Sequence, residues 1–399
     1  MTTRSNGAGQ EQMTRQAGAA APAEPAQKAA RSRIKVLTWN LRNLANPGVD
    51  YYPGEKYSPA EFERKIGWIN GQLGTMDADV AGFQEVFHKE ALVKAVGKAM
   101  GKDVRVIVTP PDDDAQLQPP LKPRVALATR LPIIGEPTVI RDIPQDATLH
   151  FLDGDGKPTA PLPITSFSRP VLRVELELWK NAAGAAEKAV VFVVHLKSMT
   201  PEIFEGQDDE DPMVYALGEA RAQMRRTAEA AGIRSLVRRE LEGTRTPVIV
   251  LGDCNAGTPS VVASIMSGPA PARYLKIEDK QRLWDRMLYD AIELQSRQSL
   301  NGTYYTHIFN GRYEALDHIL LSEEFYDRNP AHIARVEYVR LFTDHLVDGD
   351  LCPDRIPSWQ SDHGAVVVTL HRDSAAPAID SVPIPELAAR APAAAPPGA

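Results

Sequence analysis

Cysteine and long apolar runs are scarce in this sequence. Its 399 residues include two cysteines, Cys254 and Cys352, which are too few for a disulfide scaffold and are typical of a reducing compartment. No run of about 18 uncharged apolar residues occurs, so we expect no membrane-spanning helix. The first residues lack the apolar segment of a secretory signal. The expected location is therefore the cytoplasm.

An excess of positive charge is also absent. Hydrophobic residues make up 43% and charged residues 24% of the chain, which excludes a fibrous or wholly disordered protein. Of the total charge of −7, residues 1–33 carry +3 and residues 374–399 carry −1, which leaves −9 for residues 34–373. Such a domain binds phosphate backbones poorly through bulk charge, but it suits a protein that concentrates divalent cations.

The two ends of the chain differ in composition from the middle. Residues 1–33 are rich in Ala, Gln, Gly and Pro, and residues 374–399 are rich in Ala and Pro. Neither stretch has enough apolar residues to offset the entropy lost on ordering. We therefore predict disordered tails at 1–33 and 374–399 and one domain over residues 34–373, which we expect to act as a monomer.

Short β-branched runs alternate with helical stretches through this domain. The clearest helix start is Ser58-Pro59-Ala60-Glu61, which combines a cap, a proline at the first helical position and a capping-box glutamate. Helices are predicted at 59–73, 88–100, 214–242 and from 260 onward. Strands are predicted at 34–39, 79–84, 104–109, 124–129, 170–179, 189–195, 247–253, 314–322 and 364–371. The pattern indicates an α/β fold with a large content of mixed sheet.

Polar residues that can bind a metal ion or move a proton stand at the ends of the apolar strands. Each of them alone is more simply interpreted as a turn or core residue. Together they offer carboxylate and amide ligands for a hard divalent cation, and histidines for proton transfer. They do not suit structural zinc, which takes closely spaced Cys and His. The set consists of Asn40, Glu85, His195, Asp253, Asn255, Asp317, His318, Asp362 and His363.

Other conspicuous residues have a structural interpretation. His318 and Cys254 each follow a site residue on a strand, so their side chains should point away from the site into the core. Asp153-Gly154-Asp155-Gly156 lacks the remaining ligands of a calcium loop and predicts a hairpin turn. The basic stretch 221–226 is interpreted as a solvated face, with the path of a polyanion as the alternative. No apolar hairpin or basic amphipathic helix stands out as a membrane anchor.

Taken in order, the site motifs resemble those of the endonuclease/exonuclease/phosphatase superfamily. The similar segments are Trp39-Asn40, Gln84-Glu85, His195-Leu196-Lys197-Ser198, Gly252-Asp253-Cys254-Asn255, Leu316-Asp317-His318-Ile319 and Ser361-Asp362-His363. The resemblance spans residues 34–371. It implies a four-layer α/β sandwich, with two central mixed β-sheets packed face to face and helices outside, and a metal-dependent phosphoesterase activity.

The resemblance and the chemistry of phosphoester hydrolysis together suggest a role for each residue. Mg²⁺, with Mn²⁺ or Ca²⁺ as alternatives, would be held by Glu85, Asn40 and Asp362. His363 would activate a water for in-line attack, with Asp317 holding the other ring nitrogen. Asp253 would orient the water, and Asn255 would stabilise the developing charge. His195 would donate to the phosphate or the leaving group. Arg42 and Arg169 would bind phosphate.

The substrate is less clearly indicated. Asn40-Leu41-Arg42 and Phe167-Ser168-Arg169-Pro170 resemble segments of deoxyribonuclease-like enzymes, which implies a nuclease acting on nucleic acid. Against this, Phe87 replaces an arginine of those enzymes, residues 104–131 contain no tyrosine, and the domain is acidic. These departures favour the alternative, a phosphatase or phosphodiesterase for a small phosphoester such as an inositol phosphate or phospholipid headgroup. A non-catalytic binding module would not need both histidines and all the acids.

Overall fold

The computed structural model describes residues 32–110, 122–181, 184–258, 260–268, 285–296, 304–309, 311–329, 332–348 and 355–372, with a few positions between 275 and 283. The strands are β1 (Arg33–Leu44), β2 (Val80–Val86), β3 (Arg105–Val108), β4 (Arg124–Thr129), β5 (Ile133–Asp142), β6 (His150–Leu152), β7 (Pro158–Pro161), β8 (Ser166–Lys180), β9 (Ala186–His195), β10 (Val248–Asp253), β11 (Leu288–Asp290), β12 (His307–Phe309), β13 (Arg312–Glu314), β14 (Asp317–Ser322), β15 (Arg335–Phe342) and β16 (Ala365–His371). The helices are α1 (Pro59–Met76), α2 (Lys89–Val96), α3 (Pro212–Leu241), α4 (Val261–Ser267) and α5 (Ala291–Ser296).

Most of these strands form two six-stranded mixed sheets. The first has the order β15-β16-β1-β2-β4-β3, and the second has the order β11-β14-β10-β9-β8-β5. Each contains one parallel pair, β1 with β2 or β9 with β10, flanked by antiparallel partners. The parallel pairs bring strand ends that carry predicted site residues to one edge of each sheet. Two short hairpins, β6–β7 and β12–β13, lie outside the large sheets.

The elements form four layers, and an apolar cluster lies between each pair of neighbouring layers. The central cluster joins the inner faces of the two sheets, for example Val36 and Val80 of the first with Val193 and Leu251 of the second. A second cluster packs the outer face of the first sheet against α1 and α2, and a third packs the outer face of the second sheet against α3 and α4. This order of layers confirms the predicted four-layer α/β sandwich.

The two sheets come very close at Gly82 in β2. A Cβ atom at this position would lie 1.8 Å from Leu251 Cδ1 of β10, so only glycine fits unless the Leu251 side chain or the sheets shift. The contact lies three residues before Glu85 and two before Asp253. It therefore sets the spacing between the sheets directly beneath the predicted site.

Several element predictions are confirmed. At the start of α1, Glu61 N donates to Ser58 Oγ over 3.3 Å and Ser58 N donates to the Glu61 carboxylate over 2.9 Å, which is the predicted capping box. Helix α3 also follows the prediction closely, whereas α2 ends at Val96 rather than at residue 100. The predictions lacked β5, β11, β15, the two short strands β6 and β7, and the β12–β13 hairpin. β5 contains Gly135 and Pro137 and has no fully buried residue, so its apolar pattern is weak.

The predicted turn at Asp153–Gly156 is also confirmed, because it joins β6 to β7. This hairpin exposes Phe151 and Leu152, and the absence of a membrane anchor stays a prediction. β1 begins at Arg33, one residue before the predicted domain start.

Residues 1–31 and 373–399, as well as Cys352, lie outside the described residues, so the disordered tails and the monomer stay predictions. Within the described ranges, no helix is long and apolar enough to cross a membrane.

Candidate active site

Strand register places three predicted residues side by side in the second sheet. Asp253, the last residue of β10, pairs with His195 of β9 on one side and with Asp317 of β14 on the other. All three side chains are buried, and His195 Nε2 lies 3.6 Å from Asp253 Oδ2. Because directly paired residues project to the same face of a sheet, the row forms one continuous polar surface.

His363 reaches this row from the loop before β16. Its Nδ1 lies 2.8 Å from Asp317 Oδ2, and its Nε2 lies 3.8 Å from Asp253 Oδ2. Its backbone N–H donates to Ser361 Oγ over 3.0 Å, which fixes the backbone that carries the ring. Burial opposes the charged form, but the carboxylates of Asp317 and Asp253 outweigh it and raise the pKa of His363 well above its ordinary value. A histidine so held can accept a proton at Nε2.

Asn40, near the end of β1, connects the two sheets within the site. Its Nδ2 donates to Glu85 Oε1 and to Asp253 Oδ2, each over 3.0 Å, and its Oδ1 accepts from Arg42 N over 2.9 Å. The side chain is buried. This arrangement joins Glu85 of the first sheet to Asp253 of the second through one amide.

Glu85 occupies a bulge in β2. Its φ is 58°, and the register between β2 and β4 shifts between Phe83 and Val86. The left-handed region is uncommon for residues other than glycine, and bulges often re-aim a side chain beside an active site. The Glu85 carboxylate accepts from Asn40 and, over 2.9 Å, from Asn43 N. Burial, followed by the nearby charge of Asp362, raises the pKa of Glu85.

The donor set fits a hard divalent cation. Asp253, Asp317 and His363 offer ligand atoms that all lie within 4.8 Å of one another and could hold a metal ion. Asp317 Oδ1 is buried and, among the described residues, has no hydrogen-bond partner. Buried carboxylates at this spacing need a cation or protons to balance them, and oxygen ligands favour Mg²⁺, Mn²⁺ or Ca²⁺. Asp253 and Asp317 thus join the predicted ligands Asn40 and Glu85 as candidates.

The third predicted ligand, Asp362, lies beside Arg42. Its Oδ2 is 3.6 Å from Arg42 Nε, and the charges of His363 and Arg42 lower its pKa although burial opposes this. Arg42 Nη1 also donates to the carbonyls of Ile356 and Pro357, each over 3.4 Å. The structure therefore brings Asp362 and Arg42 together at the rim of the site, with Arg42 already engaged by the chain.

Arg169 and His195 form the opposite side of the site. Arg169 Nη1 donates to Leu196 O over 3.2 Å. Burial, with the positive charge of Arg169 as the next cause, lowers the pKa of His195 to about 3. His195 is therefore a neutral imidazole at neutral pH, which favours its predicted role as a hydrogen-bond donor over protonation of the leaving group. Its Nδ1 has no hydrogen-bond partner among the described residues.

Asn255 is held in a tight turn after β10. Its φ is 48°, its backbone N–H donates to Asp253 Oδ1 over 2.9 Å, and its Nδ2 donates to Leu196 O over 3.2 Å. The turn joins the ends of β9 and β10. One N–H of the amide is therefore engaged by the chain, and the other can serve a phosphoryl oxygen as predicted.

The structural interpretations of two other residues are confirmed. His318 is buried, with Nδ1 2.7 Å from Asp290 Oδ2 and Nε2 2.8 Å from Ala256 O. Although burial opposes the charged form, the hydrogen bond to Asp290 raises the pKa of His318 to about 9. Cys254 is buried, and burial raises the pKa of its thiol. Neither residue has the placement of a nucleophile.

The basic stretch 221–226 of α3 supports the loop that follows His195. Arg226 is buried, and its Nη1 donates to Lys197 O over 3.0 Å and to Ser198 O over 2.8 Å. Arg225 Nε lies 2.8 Å from Glu202 Oε1. The predicted solvated face is therefore wrong for Arg226, whereas Arg225 stays partly exposed.

Several residues around the site were not anticipated from the sequence. The His307 ring lies 4.8 Å from the His363 ring, centre to centre, on the β12–β13 hairpin that the predictions lacked. Glu229 of α3 accepts from Ser168 N over 2.7 Å and from Lys197 N over 2.6 Å, next to Arg169 and His195. Lys65 of α1 is buried below Arg42, and burial lowers its pKa to about 7. A charged residue on the apolar face of α1 was the available signal for Lys65.

This chain is similar to a known protein family and to several solved structures. The sequence profile of the endonuclease/exonuclease/phosphatase family matches residues 37–363. Similar solved structures include an endonuclease/exonuclease/phosphatase family protein from Bacteroides thetaiotaomicron, with 17% identity, coverage of 86% of this chain and 96% of that chain, and a TM-score of 0.48. The human nocturnin catalytic domain with bound sulfate has 16% identity, the same two coverages and a TM-score of 0.47.

A mannosyl-6-phosphatase from Bacteroides thetaiotaomicron has 17% identity, with coverage of 84% of this chain and 99% of that chain, and a TM-score of 0.46. No match was found among curated proteins. The family profile covers most of the chain and includes all the site motifs from Asn40 to His363. This protein therefore belongs to the endonuclease/exonuclease/phosphatase family, whose members are metal-dependent hydrolases of phosphoesters.

Proposed function

We propose that this protein is a Mg²⁺-dependent phosphodiesterase that cleaves nucleic acid. The observation that carries the proposal is the pair of His363 and Asp317, with Nδ1 and Oδ2 2.8 Å apart and His363 Nε2 turned toward Asp253. This pair can activate water directly, so no covalent nucleophile is needed. Cys254, the thiol closest in sequence to the site residues, is buried and its pKa is raised, which fits the same scheme.

The groups of the chain divide the reaction between them. His363 Nε2 takes the proton of the attacking water, and Asp317 stabilises the resulting imidazolium. Asp253, 3.8 Å from His363, orients that water for in-line attack on phosphorus. The neutral imidazole of His195 and the second N–H of Asn255 donate to phosphoryl oxygens as negative charge develops. The bond between phosphorus and the leaving oxygen then breaks. A bound cation, held by Asn40, Glu85 and Asp253 or Asp317, would neutralise charge on the phosphoryl oxygens and on the leaving oxygen.

Two arginines at opposite sides of the site support a nucleic acid substrate. Arg42 lies at the end of β1, and Arg169 lies on β8, close enough to His195 to lower its pKa. A guanidinium matches the geometry of a phosphate and binds it through two hydrogen bonds. Nucleic acid offers successive phosphates to such a pair, whereas a phosphoester with a single phosphate offers one.

A small phosphoester, such as an inositol phosphate or a phospholipid headgroup, is the second candidate. The engagement of Arg42 favours it, because this guanidinium is already bonded to two carbonyls and lies 3.6 Å from Asp362. The charge of −9 on residues 34–373 also opposes the approach of a long polyanion.

An activity panel tests the proposal. Purified protein is assayed with Mg²⁺, Mn²⁺ or Ca²⁺ on plasmid, single-stranded DNA, RNA, sphingomyelin, inositol phosphates and a generic diester, with His363→Ala as the blank. The proposal expects metal-dependent cleavage of at least one nucleic acid that is lost in the blank. Cleavage confined to inositol phosphates or sphingomyelin would transfer the assignment to the second candidate.

A further inference from the structure

Helix α1 buries a lysine in an otherwise apolar face. Lys65 is fully buried, and its neighbours on that face include Phe62, Ile66, Ile69 and Leu73. An ammonium group removed from water is costly unless its hydrogens are bonded. The hydrogen-bond partners of Lys65 therefore indicate its role.

Those partners are two backbone carbonyls from different segments. Lys65 Nζ donates to Arg42 O over 2.9 Å and to Ser358 O over 3.4 Å. The hydroxyl of Tyr57 lies 3.3 Å from each of the same two carbonyls and shares its one hydrogen between them, and Lys65 Nζ lies 5.2 Å from the centre of the Tyr57 ring. Two buried donors thus join the end of β1 to the 355–363 loop at one point.

Both segments carry predicted site residues. Arg42 follows the buried Asn40 by two positions, and the 355–363 loop ends in Asp362 and His363. Arg42 has a φ of 48°, and a residue other than glycine keeps such a conformation only where its surroundings hold it. Its guanidinium is bonded to the same loop, so Arg42 is held at both its carbonyl and its side chain. The hydrogen bond from Lys65 Nζ fixes the Arg42 carbonyl.

We propose that Lys65, assisted by Tyr57, is a positioning residue for phosphate binding. It fixes the backbone of Arg42 against the 355–363 loop. The Arg42 guanidinium and the Asp362 carboxylate therefore keep a fixed relative position at the rim of the site. It acts through Arg42 and does not touch substrate. The proposal rests on the assignment of Arg42 to phosphate binding in the proposed function.

Lys65→Met tests the proposal, because methionine keeps much of the length but has no donor. With a generic phosphodiester and Mg²⁺, we expect kcat/KM to fall by about 10- to 100-fold, mainly through a higher KM, since a displaced binding group costs this much. Tyr57→Phe removes one of two donors and should raise KM by about fivefold. The matched control is Ile69→Ala on the same helix, which lowers Tm through lost core contacts and should leave KM unchanged.

Binding of inorganic phosphate, measured by calorimetry on the full chain with Mg²⁺, separates this proposal from the nuclease assignment. Lys65→Met should weaken phosphate binding whether or not nucleic acid is cleaved. A folded Lys65→Met with unchanged KM and phosphate affinity would overturn the proposal, as would an equal rise in KM in Ile69→Ala. Should Lys65→Met fail to fold, Tyr57→Phe decides: unchanged KM and phosphate affinity there would also overturn it.

Discussion

Glu85 and Asn255 hold backbone angles that residues other than glycine adopt rarely, with φ of 58° and 48°. In each case a local hydrogen bond to a carboxylate secures the turn: Asn43 N donates to Glu85, and Asn255 N donates to Asp253. Strain of this kind costs about 1–3 kcal/mol per residue and persists where surrounding structure over-determines it. Asparagine tolerates the left-handed region, so Asn255 gives a sequence signal for its turn, whereas the segment around Glu85 contains none.

The prediction at this scale concerns Glu85→Gln. The amide keeps the shape of the side chain but removes a negative charge from the candidate metal site, so we expect kcat with Mg²⁺ to fall by about 100-fold or more. Mg²⁺ affinity, measured by calorimetry, should fall as well, while Tm stays close to that of the wild type. Glu90→Gln, an exposed change in the first turn of α2, is the matched control. Activity of Glu85→Gln equal to the control would remove Glu85 from the metal site.

At the scale of elements, strand register assembles the site. The pairing of β10 with β9 and β14 puts His195, Asp253 and Asp317 in one row, and the loop before β16 adds His363. The strands could be predicted because their apolar runs are uninterrupted. Their pairing could not, because paired residues lie 58 to 72 positions apart in the chain and no sequence pattern links them. The hairpin that carries His307 is three residues on each side and partly exposed, which is too short for periodicity to reveal.

The spacing of the sheets gives a prediction for Gly82→Ala. A Cβ there would lie 1.8 Å from Leu251 Cδ1, so we expect the free energy of unfolding in urea to fall by about 1–3 kcal/mol. Gly67→Ala on α1 is the control, because a Cβ at that position meets no atom within 4 Å and alanine favours a helix. A neutral Gly82→Ala would mean that the Leu251 side chain or the sheets can shift without cost beneath the site.

For the whole molecule, the strand-end motifs from Asn40 to His363 carry the family resemblance. That resemblance predicted the fold class, the order of the layers and the candidate site residues. What these motifs could not predict is how charge is balanced in the interior. Lys65 on α1, and Arg226 and Glu229 one turn apart on α3, are buried charged residues, and each bonds backbone groups beside the site. Composition alone assigns such residues to the surface.

The tails give a prediction at this scale. Arg372 N donates to Ser32 O over 3.0 Å, so the described domain closes at these two residues. A chain trimmed to residues 32–373 should keep full specific activity and the Tm of the intact chain, because the tails contribute no predicted site residue. Lost activity with an unchanged Tm would show that a tail acts in catalysis or substrate binding.

The central claim is that His363 and Asp317 act as one proton-transfer unit. A base must be deprotonated to work, and Asp317 raises the pKa of His363, so kcat/KM should rise with pH along a limb that lies above the ordinary histidine value of 6.5. Asp317→Asn removes the partner of the imidazolium, so the limb should move to lower pH while the plateau falls by about 10³- to 10⁴-fold.

The most direct measurement is the kcat/KM profile of Asp317→Asn, His363→Ala and the double variant on one phosphodiester at saturating Mg²⁺. If the two residues form a unit, the double variant should be about as slow as His363→Ala alone, because the second change removes nothing further. If the double variant instead shows the product of the two single losses, the residues act independently, and the account of this site is wrong.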